Sequence, residues 1–312
     1  MRPLRSKEIM GTWATLLLPI NLDDSIDYIR LGEEIDVLIA SGVDGIYSNG
    51  TAGEFYAQSE DEFNRIQGLL AEKCEQAGLP FQIGASHTSA QVMLERLRRA
   101  VTLRPSAVQV ILPDWYPPAM DEILKFFERL ATVADGVGLV LYNPPHAKRI
   151  LSPEELGKLR REVPSLVGIK VAGGDPAWYV SMREQVPGLS VFVAGHQLAS
   201  GFAQGAAGAY SNVACLQPRG AQRWYQQMKN DLPGAIELEQ RIGAFLEEFI
   251  MPFKRDQEYS NQALDKLLAG IGGWAPVGTR LKWPYRWVPE EDVAPLRHVA
   301  PRKLPELFAE TG

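Results

Sequence analysis

Short apolar runs alternate with amphipathic stretches over the first two thirds of the chain. Eight runs have the length and apolar content of buried strands: residues 11–18, 43–48, 81–84, 107–112, 138–142, 167–172, 190–194 and 208–210. Between them lie helical patterns. Residues 23–40 form one, and Ser59-Glu60-Asp61-Glu62 is a capping box that opens another reaching about residue 76. Thr88-Ser89-Ala90-Gln91 caps a third, carrying Met93, Leu94, Leu97 and Val101 on one face. A fourth runs through Phe126 and Leu130, and Ser152-Pro153-Glu154-Glu155 starts a fifth over 153–163 with a cap and a first-turn proline. Asp175-Pro176 starts the next, and 197–204 is a short helical segment. Beyond Cys215 the strand signals stop. Residues 222–253 and 261–268 read as helices, and the tail from Trp274, rich in Pro, Trp and Arg, is expected to wrap a surface or an interface.

Strands alternating with helices imply a parallel sheet covered by helices. Eight such units fit a closed (β/α)8 TIM barrel better than an open doubly wound sheet, because no GxGxxG follows Leu18. The expected organisation is a barrel over 1–220 and a C-terminal helical extension over 221–312. A formal net charge of -6 argues against nucleic acid as a partner. Cys74 and Cys215 form no CxxC pair, which suggests buried thiols in a reducing compartment. The four histidines (His87, His146, His196, His298) have no metal-ligand spacing, so no metal is expected. Leu16-Leu17-Leu18 ends at Pro19, too short for a secretion signal or a membrane span, so a cytoplasmic protein is expected.

One strand is out of character. Val167-Gly168-Ile169-Lys170-Val171-Ala172 ends in a lysine, whose ammonium is costly to hold in a dry interior. Either the strand ends at the surface and Lys170 is solvated, or the amine has depressed basicity and is a nucleophile for a ketone. In a barrel the C-terminal strand ends share one mouth, which would gather Thr12, Thr15, Thr51, Trp115, Tyr142, Lys170, Gly195-His196 and Tyr210-Ser211. A tyrosine beside the amine can move protons while an imine forms, although Tyr142 alone could be packing. The glycines around Thr51 free backbone N–H groups to meet an anion, and Glu54 tilts the choice from phosphate to a small carboxylate, though Thr51 alone could be a turn residue. His146 and His196 could serve as acid or base on a second substrate or be structural, and Asp114 could be a mouth carboxylate or a turn residue.

Gly50-Thr51-x-Gly53-Glu54, Tyr142-Asn143-x-Pro145 and Gly168-Ile169-Lys170, with Gly195 and the Gly205-Ala206-x-Gly208 run, resemble the motifs of the dihydrodipicolinate synthase / N-acetylneuraminate lyase family. Three motifs in order over nearly the whole chain are far more specific than any one. The resemblance implies a TIM barrel with a C-terminal helical domain, a homo-oligomer (dimer or tetramer) and Schiff-base chemistry on pyruvate or another 2-keto acid with an aldehyde as second partner, without a cofactor. It implies that Lys170 forms the imine, Tyr142 shuttles protons and Thr51 binds the carboxylate. Gly50, Ala52, Thr15, Trp115, His146, Gly195, His196 and Tyr210 are the expected substrate-binding residues.

Departures from the family pattern bear on the activity. Ala52 stands where many members carry a second Thr or Ser, so a carboxylate ligand is lost. Trp115 stands where the synthases have a relay tyrosine, and indole cannot shuttle a proton, which breaks the relay unless Tyr116 substitutes. The synthases' substrate arginine falls on Ala147, with Lys148 and Arg149 adjacent. These changes weigh against dihydrodipicolinate synthase proper. Trp115 after a proline resembles hydratase-aldolases, and Gly53-Glu54-Phe55 resembles keto-deoxy sugar-acid dehydratases. Trp115 and Tyr116 could line the pocket or pack a subunit contact. The expected function is a Schiff-base lyase or aldolase; a non-catalytic 2-keto acid sensor and a metal-dependent aldolase are the rivals.

Overall fold

The computed structural model describes residues 1–309. Eight strands pair in sequence order, all in parallel: β1 (Gly11–Thr15), β2 (Gly45–Ser48), β3 (Phe81–Gly84), β4 (Ala107–Val110), β5 (Leu139–Tyr142), β6 (Leu166–Lys170), β7 (Ser190–Ala194) and β8 (Gly208–Tyr210). The barrel closes where β8 pairs with β1, Trp13 opposite Tyr210. Seven helices follow the first seven strands: α1 (Tyr28–Ala40), α2 (Glu60–Ala77), α3 (Ala90–Thr102), α4 (Met120–Ala134), α5 (Pro153–Glu162), α6 (Pro176–Gln185) and α7 (Leu198–Gln204). This is the (β/α)8 barrel that the alternation predicts.

Strand side chains alternate between two cores. Outward-facing residues pack under the helices, and inward-facing Ile9, Trp13, Tyr47, Val140, Val167, Phe192 and Tyr210 fill the barrel. The interior is strongly aromatic: Trp13 meets Phe192 and Tyr210 edge-on at 6.4 and 6.3 Å between centroids. This packed floor closes the barrel below the mouth and leaves Lys170, at the last position of β6, above it.

Three departures from the expected elements have local causes. The first strand stops at Thr15, because the Leu17 N–H goes to the buried carboxylate of Glu34 (2.8 Å) and the Leu18 carbonyl accepts from Lys266 Nζ (2.6 Å). The first helix begins at Tyr28 rather than residue 23, since the Asp27 side chain takes the N–H groups of Ile29 and Arg30. The single helix expected over 222–253 is several. After α8 (Asn212–Leu216) come α9 (Pro218–Asn230) and α10 (Leu232–Phe245), separated by Asp231, whose side chain caps the Gly234 N–H ahead of a chain that Pro233 could not have continued. α10 runs into a wide π turn, Leu246–Ile250, in which the Met251 N–H reaches back to the Leu246 carbonyl; Pro252, next in line, has no N–H to give.

The remaining helices are α11 (Met251–Arg255), α12 (Asn261–Gly272), α13 (Glu290–Lys303) and α14 (Pro305–Phe308). Pro295 and Pro301 disguise α13 in the sequence, and burial of Val293, Ala300, Leu304 and Leu307 holds this end of the tail in place. α12 carries Lys266, fully buried, whose Nζ lies 2.8 Å from Glu54 Oε1 and bonds the carbonyls of Leu18 and Arg280. Glu54 also accepts the Lys282 N–H at 2.8 Å. The C-terminal helices are thus tied to the loop after β2 by a buried ion pair. Among the described residues no helix is long and apolar enough to cross a membrane.

Candidate active site

A cavity of about 550 Å³ opens at the C-terminal ends of the strands. Thr15, Thr51, Ala52, Tyr142, Lys170, Gly195, His196 and Tyr210 all line it. The barrel closes residues more than a hundred positions apart onto one space.

Lys170 Nζ donates to the Tyr47 hydroxyl at 3.3 Å and stands 4.3 Å from the Tyr142 ring centroid and 5.2 Å from those of Tyr47 and Tyr210. Three rings therefore present negative π faces to the ammonium. Burial disfavours that charge, but Tyr47, Tyr142 and Asp265 outweigh it, and the amine is held above the ordinary lysine range. That direction is opposite to the depressed basicity that burial alone suggests. A strand sequence reveals burial; the phenols come from other strands.

The other phenols have fixed partners. The Tyr142 hydroxyl lies 3.4 Å from Thr51 Oγ1, and the Tyr210 hydroxyl donates to Gln82 inside the barrel at 2.7 Å. Burial pushes Tyr47 and Tyr210 above the usual phenol range, so both stay neutral protonated groups. The Asn143 side chain fastens the loop after Tyr142, donating to the Arg149 carbonyl and accepting from the Leu151 N–H. Burial lowers His196, whose Nδ1 faces the Asn212 amide, and keeps it a neutral imidazole.

Three expected binding residues stand outside the cavity wall. Gly50 lies behind Tyr47: a Cβ there would come within 2.0 Å of the Tyr47 hydroxyl, so its bareness makes room for that phenol. Trp115 is 87% exposed and Tyr116 82%, on a loop turned away from the mouth; Lys148 stacks over the indole and bonds the Trp115 carbonyl at 3.0 Å. His146 is exposed on the turn after Pro145. Asp114 takes the Lys148 N–H, a loop-bracing contact. Arg149 pairs with Glu155. Glu54 is spent on Lys266 and the Lys282 backbone rather than facing a ligand, so its charge cannot be what disfavours phosphate.

Sequence reasoning missed Tyr47 and the whole outer wall. Tyr47 had a usable signal, since it pairs in register with Thr15 next to the C-terminal end of β2. The outer wall is built by Leu246, Glu247 and Ile250 of the π turn, Lys254 of α11, and Asn261, Leu264, Asp265 and Leu268 of α12. Nothing local marks them, because they read as ordinary faces of amphipathic helices. Among the described residues no group of three His, Cys, Asp or Glu side chains is arranged to hold a metal ion.

A closed parallel barrel with an amine, phenols and a threonine converging at the strand ends has the arrangement of a barrel enzyme. The chain belongs to the dihydrodipicolinate synthetase family, whose model matches residues 8–268, and so stands with the lyases. An N-acetylneuraminate lyase of Rhizobium meliloti (strain 1021) is 28% identical over 297 residues, covering 94% of this chain and 95% of the relative. A 4-hydroxy-tetrahydrodipicolinate synthase of Thermomicrobium roseum is 31% identical over 170 residues, 53% of this chain and 54% of its own. In fold, the chain matches a prophage protein of the dihydrodipicolinic acid synthase family from E. coli K12, solved in complex with pyruvate, with a TM-score of 0.83 at 22% identity over 95% of this chain and 98% of that one. A Ruminococcus gnavus sialic acid aldolase bearing a catalytic lysine mutation matches with a TM-score of 0.83 at 18% identity over 98% of both chains.

Proposed function

We propose that the protein is a Schiff-base-forming lyase acting on pyruvate or another 2-keto acid. The observation that carries this is Lys170 Nζ inside the cavity beside the Tyr142 ring, with the Tyr142 hydroxyl 3.4 Å from Thr51 Oγ1. The substrate carboxylate sits against the Thr51 turn and its ketone faces Lys170. Because the resting amine is an ammonium, a proton must leave before attack, and the Tyr142–Thr51 hydroxyl pair is the adjacent route. Attack on the carbonyl carbon gives a carbinolamine. Tyr142 returns a proton to its hydroxyl, which departs as water and leaves a protonated imine. The iminium then accepts the electron pair of a bond at carbon 3. Retro-aldol cleavage, condensation with an aldehyde and loss of water all follow from that one sink, and no cofactor enters the scheme.

Dihydrodipicolinate synthase proper finds less support. Lys148 and Arg149, the cations nearest the synthases' arginine position, are engaged with the Trp115 carbonyl and Glu155. The test is mass analysis after incubation with pyruvate and borohydride. A reduced adduct mapped to Lys170 supports the lyase, and binding without an adduct points to a keto-acid sensor. The same reading includes assembly into a dimer or tetramer with the Trp115–Tyr116 loop as the candidate contact, which sedimentation of the wild type tests.

A further inference from the structure

Two adjacent ion-forming groups of α12 have opposite fates. Lys266 is locked to Glu54, to two backbone carbonyls and into full burial. Asp265, its neighbour, lines the cavity with Lys170 and has no hydrogen bond or ion pair among the described residues. Elsewhere on the outer wall Glu247 pairs with Arg255 at 2.8 Å, and Lys254 donates to the neutral Asn261 side chain at 2.7 Å. Half-buried at the cavity wall and without a partner of its own, this carboxylate is free to accept a hydrogen bond from whatever occupies the space. Its seat is not adjustable, because the Lys266 anchor fixes the helix one residue away.

We propose that Asp265 is a specificity-determining residue that contacts the distal half of the substrate, accepting a hydrogen bond from a hydroxyl there and turning away a distal carboxylate. This rests on the Schiff-base reading, which places the substrate's carboxylate and ketone at Thr51 and Lys170. The chain beyond carbon 3 must then run outward along the helical wall, which presents this acceptor to it. Burial holds the Asp265 carboxyl at about 6 against the pull of Lys170, so near neutral pH it is chiefly the anion. The charged or titratable groups facing it are Lys170 from β6, Cys215 from α8, Tyr56 from the loop after β2, and Glu247 and Lys254 across the wall. A second carboxylate placed against Asp265 would set two acceptor-only anions together, whereas a hydroxyl has a proton to donate to it.

The experiment compares the wild type with Asp265→Asn and Asp265→Leu. The probes are pyruvate with borohydride, 2-keto-3-deoxygluconate (hydroxyls beyond carbon 4) and 4-hydroxy-2-oxoglutarate (a carboxylate there). The expected wild-type preference in kcat/KM for the hydroxylated acid is about a hundredfold or more. Both variants should keep the Lys170 adduct with pyruvate while that preference shrinks to within about tenfold. An unchanged preference in a variant that still forms the adduct overturns the proposal. So does loss of the adduct in the variants alone, which would make Asp265 a group acting on the lysine. No adduct in the wild type sinks the Schiff-base reading itself, and the proposal with it.

Discussion

The cavity has two walls of different origin. The barrel wall is made of strand-end residues (Thr15, Tyr47, Tyr142, Lys170, Tyr210) seated on a packed aromatic floor. The helical wall comes from the π turn, α11 and α12, joined to the barrel by the Lys266–Glu54 ion pair. In the barrel wall, covalently distant residues are fixed by register, and their polar atoms largely satisfy one another. In the helical wall Glu247 and Lys254 bond their own helical neighbours, and Asp265 is left without a partner among the described residues. On the proposed Schiff-base reading, the division suits a lyase whose keto-acid end is constant and whose other end varies: rigid strands would hold the chemistry, and helices that can change without disturbing the sheet would hold the choice of substrate.

Breaking the barrel wall should have the largest effect. Lys170→Ala should lower turnover by roughly a thousandfold or more and abolish borohydride trapping, read by steady-state assay and mass. Wild-type turnover in that variant would remove the barrel wall's special role. Separating the walls comes next. Glu54→Gln leaves the Lys266 ammonium buried without its counter-charge, which should cost about 3–5 kcal/mol in urea denaturation. Replacing the pair together, Glu54→Leu with Lys266→Met, should cost less than Glu54→Gln alone, and a larger loss would mean that the strut is more than an ion pair.

A smaller effect sharpens the contrast through pH. Burial raises Asp265 to about 6, while the unfolded carboxyl titrates near ~4. Between those values the folded state holds more proton than the unfolded one, so this group's contribution to stability is greatest below about pH 4 and declines as pH rises through 6. Asp265→Asn should flatten that part of the stability profile, measured by denaturation midpoints between about pH 4 and 7. An unchanged slope would place the carboxylate in water. The smallest effect belongs to the loop outside both walls: Trp115→Ala should leave the stability of the chain within about 0.5 kcal/mol, since the indole is 87% exposed.

Much of the barrel wall was legible before any coordinates. Closure of the barrel placed Lys170, Tyr142 and Thr51 at one mouth, since apolar runs mark strands well, and the resemblance of their motifs to the family gave them their expected roles. Tyr47, in the strand run 43–48, was equally accessible, and the structure places it both in the barrel core and on the cavity wall. Trp115, left open between the pocket and a subunit contact, stands outside this chain's cavity wall for a different reason. The loop 113–118 has no periodicity to orient it, and its outward turn is settled by Lys148 and Asp114 across the gap to the next loop. The basicity of Lys170 was misjudged because burial is written in its own strand and the phenols that overrule it are not.

The sequence by itself determined the alternation of strand and helix, hence the barrel, hence which residues reach its mouth; the motifs shared with the family, not periodicity, singled out the amine, the phenol and the hydroxyl among them. Periodicity and chain closure act locally, residue by residue. Only the tertiary structure decided that Lys170 sits among three rings, that Glu54 serves α12 instead of a ligand, and that Asp265 faces the cavity while Lys266 is buried. Each of those depends on which surfaces the C-terminal helices cover, a matter of packing between elements far apart in the chain that leaves no local pattern behind.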